Sequence, residues 1–269
     1  MNNPPLNGRV FCLVTCLEIN LFESCTLNFS TIRTAFPTCE ITIHVNGNSL
    51  WKDRIVKKAL DHGLDCIVLD KTFFHADYLH EIVTTNANPL LYSPKPTIIV
   101  DADIIFWENC EFEVAEPWSG MWIPVYQNEW AGLPSVERIH PSFLIIPDCA
   151  LLLNLIKSAY PMHGAKFGDY CGFRPFHPVT TFFEGSGLFY DTCANLHHLI
   201  PGLPFTDSQL NAYSHLNSAS FYSTVLERFS DPTVKENFRN AHEYANSFQW
   251  EKLRGLNKLI MNYYLSRRR

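Results

Sequence analysis

"PTIIVDADIIFWENC", residues 96–110, decides how the rest of the chain is read. Ile98, Ile99 and Val100 form an uninterrupted apolar, β-branched run, as in a strand buried on both faces. The run then meets two carboxylates one position apart, Asp101 and Asp103, before Ile104, Ile105 and Phe106 make it apolar again. Charge is expensive at the mouth of a buried strand, so the pair asks for a reason.

The sequence before this stretch supplies a context. "RVFCLVTCLE" (9–18) reads as a buried strand, "LFESCTLNFSTIRTAF" (21–36) has helical spacing and stops at Pro37, and "EITIHVNGNS" (40–49) is a strand turning at Asn46-Gly47. "KDRIVKKALDHG" (52–63) is a helix with Gly63 at its C′ position, "LDCIVLD" (64–70) a strand, and "ADYLHEIVTT" (76–85) a helix. Strands alternating with helices of this length predict βαβ units and an α/β fold, a three-layer αβα sandwich around a mostly parallel sheet. In such sheets ligands bind outside the carboxyl ends of the strands. Asp101 and Asp103 fall at that end of the fourth strand.

After residue 110 proline, glycine and aromatic residues punctuate the chain. "WSGMWIPVY" (118–126) and "RIHPSFLIIP" (138–147) read as strands, "CALLLNLIKSAY" (149–160) as a helix, "VTTFFEGSGLFY" (179–190) as strand and loop, and "DTCANLHHLI" (191–200) as a short helix capped by Asp191. Asp207 in "PFTDSQL" reads as a further cap. No internal repeat occurs. The expectation is one domain over 1–269, with residues 8–106 as a doubly wound half, 107–230 as the other wall of a cleft, and 231–269 as a helical tail.

Composition bounds the partners. The chain has 269 residues, 46% of them hydrophobic and 18% charged, with a formal charge of −6. A net negative balance argues against nucleic acid, whose phosphates need a basic surface. Nine cysteines without a CxxC pair fit reduced thiols in a cytoplasmic protein. No secretory leader or membrane span is legible. The basic end "WEKLRGLNKLIMNYYLSRRR" (250–269) reads as a surface helix, with peripheral contact to anionic lipid on the inner face of a membrane as its second reading.

Carboxylates as close as Asp101 and Asp103 repel unless a cation lies between them or one is protonated. A hard divalent ion, Mn²⁺ or Mg²⁺, resolves the repulsion with oxygen ligands. The plain alternative is a loop with two solvated aspartates.

In this context "VDAD" (100–103) resembles the DxD of nucleotide-sugar-dependent glycosyltransferases of the GT-A (Rossmann-like) fold, which bind a divalent ion across the donor diphosphate. "HLNSAS" (215–220) is similar to that family's late histidine-containing segment, and "NSFQWEKL" (246–253) looks like the tail that follows it. Asn217, Ser218 and Ala219 stand where that segment is often glycine, which loosens the backbone approach to phosphate. The resemblance implies Asp101, Asp103 and His215 as metal ligands. It implies donor contacts from Thr15, Asn46, Asp101, Ala102, Asp103, Ser218 and Ser220. It further implies Asp191 as general base of an inverting transfer, Glu184 as second candidate, and His140 and Ser142 toward the acceptor. Trp118, Trp122, Trp130, Phe182 and Phe183 are candidates for stacking on sugar rings, against ordinary core packing.

The expected activity is transfer of a sugar from a UDP- or GDP-sugar to a glycan or lipid-linked glycan. Two rivals are a nucleotidyltransferase and a non-catalytic nucleotide-sugar or glycan-binding module. The first would want a glycine-rich basic loop after the first strand, where this chain reads "TCLEINLFES" (15–24).

Overall fold

The computed structural model describes residues 6–17, 22–47, 49–71, 73, 75–108, 112, 114–123, 127–128, 133–134, 138–159, 200–216 and 232–256. Three parallel strands form the centre: β1 (Arg9–Val14), β2 (Glu40–Val45) and β4 (Thr97–Asp101), with β3 (Asp65–Val68) parallel at the edge beside β2. On the other side of β4 lies the long antiparallel β9 (Arg138–Ile146), then β6 (Ser119–Ile123) and β10 (Leu203–Pro204). The order of this seven-stranded sheet is β10-β6-β9-β4-β1-β2-β3. Two small ribbons stand apart from it. One pairs β5 (Ile104–Phe106) with β11 (Tyr213–His215), and the other pairs β7 (Gln127–Asn128) with β8 (Leu133–Pro134).

Side chains alternate across a strand, and this sheet uses both faces. Val10, Cys12, Val14, Ile41, Ile43, Val45, Ile98, Val100, Phe143 and Ile145 share one core with Phe29, Ile32 and Ala35 of α1 (Asn28–Ala35) and Ile55 and Ala59 of α2 (Lys52–Asp61). Phe11, Ile99, Leu144 and Ile146 fill the other, with Tyr78, Leu79, Ile82 and Val83 of α3 (His75–Asn86) and Leu152 of α4 (Cys149–Ala159). Each such side chain contributes roughly 1.5–3 kcal/mol by burial. The α/β sandwich with a largely parallel sheet expected from the sequence is therefore the fold observed.

Local signals explain the element ends. At the end of α2 the amide of Gly63 donates to the Leu60 carbonyl and that of Leu64 to the Ala59 carbonyl, both within 3.0 Å. This is the two-bond glycine cap anticipated at Gly63, whose φ of 65° is strained for any residue with a Cβ. Gly47 turns so tightly after β2 that a Cβ would lie 2.5 Å from the Leu69 carbonyl oxygen. In α5 (Asp207–Asn211) the cap is Thr206, with Gln209 completing a capping box, so Asp207 is the first helical residue and not the cap. The T-x-x-Q spacing is the signal that locates it.

Two further departures bear on the site. "PTIIVDADIIF" is two strands, because the chain leaves the main sheet after Asp101 and pairs with β11 from Ile104 onward. In β9 the register against β6 slips by three residues around Pro141, which has no N–H to offer a ladder. A third core of Leu27, Ile105, Leu216, Ala241, Ala245 and Leu253 brings α6 (Pro232–Asn246) and the helical residues 250–256 against β5 and β11. Among the described residues no helix is long and apolar enough to cross a membrane, and Cys12, Cys16, Cys25, Cys39, Cys66 and Cys149 are free thiols.

Candidate metal centre

The carboxyl rim of the sheet is built by register. Asp101, the last residue of β4, lies level with Leu13 of β1, which lies level with His44 of β2. Ala102 and Asp103 then turn the chain out of the sheet. The Asp103 carbonyl accepts from the Leu216 amide at 2.9 Å, and Ile104 pairs with His215. This antiparallel contact carries His215 to the acidic turn from a much later part of the chain.

The three side chains converge. Asp101, Asp103 and His215 each offer a ligand atom, and these atoms lie within 4.8 Å of one another. His215 Nε2 is 3.4 Å from Asp103 Oδ1, and both side chains are nine-tenths buried. Asp101 is half-buried, so the group opens to solvent on its side. The donor set is two carboxylate oxygens and an imidazole nitrogen, which suits a divalent ion such as Mn²⁺. Close packing of two like charges at low exposure is unfavourable without positive charge beside them. The residues present therefore fit the ion that the sequence led us to expect.

Cys12 stands outside this group of ligand atoms. Burial pushes its thiol pKa far up, and the charges of Asp101 and Asp103 add to this, against a hydrogen bond from the Asn28 amide.

Other expected site residues fall as follows. Thr15 is half-buried directly after β1. Asn46 follows β2 and is buried; its Nδ2 donates to the Phe73 carbonyl at 3.0 Å and its Oδ1 accepts from the Phe73 amide at 3.1 Å. That side chain thus clamps the loop entering α3 to the rim. Ser49, not singled out from the sequence, stitches the first two strand ends by donating to the Cys16 carbonyl at 3.0 Å. Ala102 is buried in the turn between the two aspartates.

Ser142 is fully buried in β9, one step beyond the Val100–Phe143 pair and hence beside the end of β4. His140 lies on β9, paired with Met121 across the slip. Trp118 is a core residue with no exposure, its indole N–H donating to the Ile200 carbonyl at 2.9 Å, so it is not available to stack on a sugar. Asp191, Glu184, Ser218, Ser220, Trp130, Phe182 and Phe183, and the side chain of Trp122, lie outside the described residues.

The residue that pattern reading missed is Asn28. It opens α1, is fully buried, and donates to the Asp101 carbonyl at 3.3 Å and to Cys12 Sγ at 3.1 Å. A buried asparagine on the apolar stripe of a helix is the signal that could have found it, since burying an amide is costly without a task.

No protein-family profile and no curated protein matches the chain. Among solved structures it is similar to the glycosyltransferase GlyE of Streptococcus pneumoniae TIGR4, with 13% identity over 75% of this chain and a TM-score of 0.41. The chain spans only 46% of that protein's length. It is similar to the galactosyltransferase LgtC, solved with donor and acceptor sugar analogues, with 11% identity over 86% of this chain and 81% of that one, TM-score 0.41. It is also similar to the CTP:phosphocholine cytidylyltransferase LicC of Streptococcus pneumoniae, with 15% identity over 82% of this chain and 98% of that one, TM-score 0.41. The activities of these proteins differ, so the choice of reaction rests on the side chains at the rim.

Proposed function

We propose that this chain is a divalent-metal-dependent glycosyltransferase that moves a sugar from a UDP- or GDP-sugar to a glycan or lipid-linked glycan acceptor, with inversion. One observation carries the reading. Asp101, Asp103 and His215 meet within 4.8 Å at the carboxyl rim of a largely parallel sheet, where α/β folds bind their ligands. Asp101, Asp103 and His215 would hold Mn²⁺ or Mg²⁺, and the ion when bound would offset the charge of the donor diphosphate and of its leaving group.

The protein's own groups do the rest. The strand-end loops carrying Thr15 and Asn46 border the nucleotide, Ala102 gives it a small wall between the carboxylates, and Ser218 and Ser220 are the residues proposed to contact the phosphates. Asp191 takes the proton of the acceptor hydroxyl as it attacks the anomeric carbon, with Glu184 as the alternative base. His140 is proposed for the acceptor side, while Ser142, fully buried in β9, backs the end of β4. For the basic end 250–269, peripheral contact with anionic lipid is the second reading beside a surface helix.

The test is a donor screen with and without Mn²⁺, following free nucleotide and sugar release. Metal-dependent release of a nucleoside diphosphate supports the reading. Metal-dependent binding with no release in the presence of any acceptor tried would make the chain a binding module, and release of pyrophosphate from a nucleoside triphosphate would make it a nucleotidyltransferase. Asp191→Asn is expected to lose turnover while retaining donor affinity; lost donor affinity would remove that residue from the base role.

A further inference from the structure

The carboxylates can share an ion only if the two-residue turn between β4 and β5 keeps one shape. The turn begins where the pairing of β4 with β1 reaches its last pair, Leu13 and Asp101. From the far side it is held by the Leu216 amide on the Asp103 carbonyl. From beneath it is held by α1. Asn28 Nδ2 donates to the Asp101 carbonyl at 3.3 Å, and one helical turn later Thr31 Oγ1 accepts from the Phe106 amide at 3.2 Å. Positions three apart lie on one stripe of a helix. That single stripe therefore fastens both ends of residues 101–106, the segment that contains the turn.

The chemistry of Asn28 is unfavourable for stability alone. Its side chain has no exposure, and its Oδ1 is buried without a hydrogen-bond partner among the described residues. Leucine has the same branching and number of heavy atoms, a better helix propensity and no amide to desolvate. A polar group at such a site is acting on something, and the backbone it reaches is the carbonyl of Asp101 itself. Fixing that carbonyl fixes the peptide plane leading into Ala102 and so the direction in which the Asp101 carboxylate leaves the chain.

We propose that Asn28, assisted by Thr31, is a positioning residue that sets the approach of Asp101 to Asp103 and thereby the affinity and coordination geometry of the divalent ion. This rests on the metal reading above. Groups one step removed from a metal typically change its affinity by about 10–100-fold when deleted.

The experiment is Mn²⁺ titration of the full chain by calorimetry and by electron paramagnetic resonance, with thermal unfolding in EDTA as the measure of fold. Asn28→Leu is expected to remain folded in EDTA, to bind Mn²⁺ about 10–100-fold more weakly, and to show an altered Mn²⁺ spectrum. Asn28→Gln, which keeps the amide, should recover part of the affinity. An Asn28→Leu protein that is folded and binds with wild-type affinity and spectrum overturns the proposal. If Asn28→Leu does not fold, Thr31→Val decides: weaker binding by a factor of a few supports the proposal, and unchanged binding and spectrum overturn it. Wild-type protein that binds no Mn²⁺ overturns both this inference and the reading beneath it, whereas wild-type binding that is lost in Asp103→Ala but kept in Asn28→Leu removes this inference alone.

Discussion

The two rims of the sheet handle charge in opposite ways. At the amino rim, Arg9, Glu40 and Thr97 are the level first residues of three parallel strands. Arg9 lies 3.2 Å from Glu40, which also accepts from Lys95 at 2.5 Å; Arg9 further donates to the Ser93 carbonyl at 3.1 Å and lies over the Tyr92 ring. Opposite signs alternate there, and a charge-balanced network of this kind ties strands together. At the carboxyl rim two like charges and an imidazole are pressed within 4.8 Å. Charge that neutralises itself serves the fold, and charge of one sign gathered at low exposure serves a ligand.

The largest expected effect separates the rims directly. Asp103→Ala should weaken Mn²⁺ binding at least about a hundred-fold, beyond what a supporting group costs. The stabilisation by Mn²⁺ at a hundred times its dissociation constant, about 2.7 kcal/mol in the wild type, should vanish with it. Metal-free melting should not fall; a large fall would place Asp103 among the fold-holding groups and erase the contrast.

Acid titration sharpens the comparison in the row of Asp101 itself, two strands away at His44. Burial against Phe11 and Tyr78 lowers the His44 pKa from 6.5 to about 4. A folded-state pKa below the unfolded one means that stability is full above pH 6.5 and is lost as pH falls toward 4, because the unfolded chain takes up the proton first. The loss is on the order of 3 kcal/mol at one such group. His44→Leu should therefore flatten stability between pH 6.5 and 4 in denaturant melts, and an unchanged acid limb would show that His44 does not govern it. Glu40 at the other rim acts below this window. Its hydrogen bond from Lys95 lowers its pKa from 4.5, so its small, solvent-screened contribution is present above pH 4.5 and fades below it.

Arg9→Met tests the amino rim itself. It should destabilise the protein by about 1–3 kcal/mol through lost charge-assisted hydrogen bonds and leave Mn²⁺ affinity untouched, measured by urea melts and calorimetry. Changed metal affinity would mean that the rims are coupled. The smallest effect belongs to Gly63→Ala, at the end of α2 that leads into β3. It should cost about 1–2 kcal/mol for the left-handed backbone, again without change in metal binding.

Much of this was legible beforehand because the relevant physics is local. The alternation of Val10, Phe11 and Cys12 forecasts a strand buried on both faces, and Gly63 forecasts its own cap. The failures are equally physical. Residues 104–106 are as apolar as 98–100, so periodicity could not show that they belong to a different sheet. Trp118 carries an amphipathic indole that suits a sugar platform, yet the Ile200 carbonyl that satisfies its N–H comes from a distant segment. Asn28 sits in an ordinary helical pattern, and only its partner on Asp101 gives it meaning.

The sequence by itself determined the α/β order of elements, the end of the strand at which Asp101 and Asp103 stand, and which faces are apolar, since each depends on neighbours within a turn or a pleat. Tertiary structure alone decided that β5 leaves the main sheet, that β11 brings His215 to Asp103, and that α1 grips the turn between them. Those facts concern distances through space between segments far apart along the chain. Backbone periodicity holds no record of such distances; only the packing of the three cores fixes them.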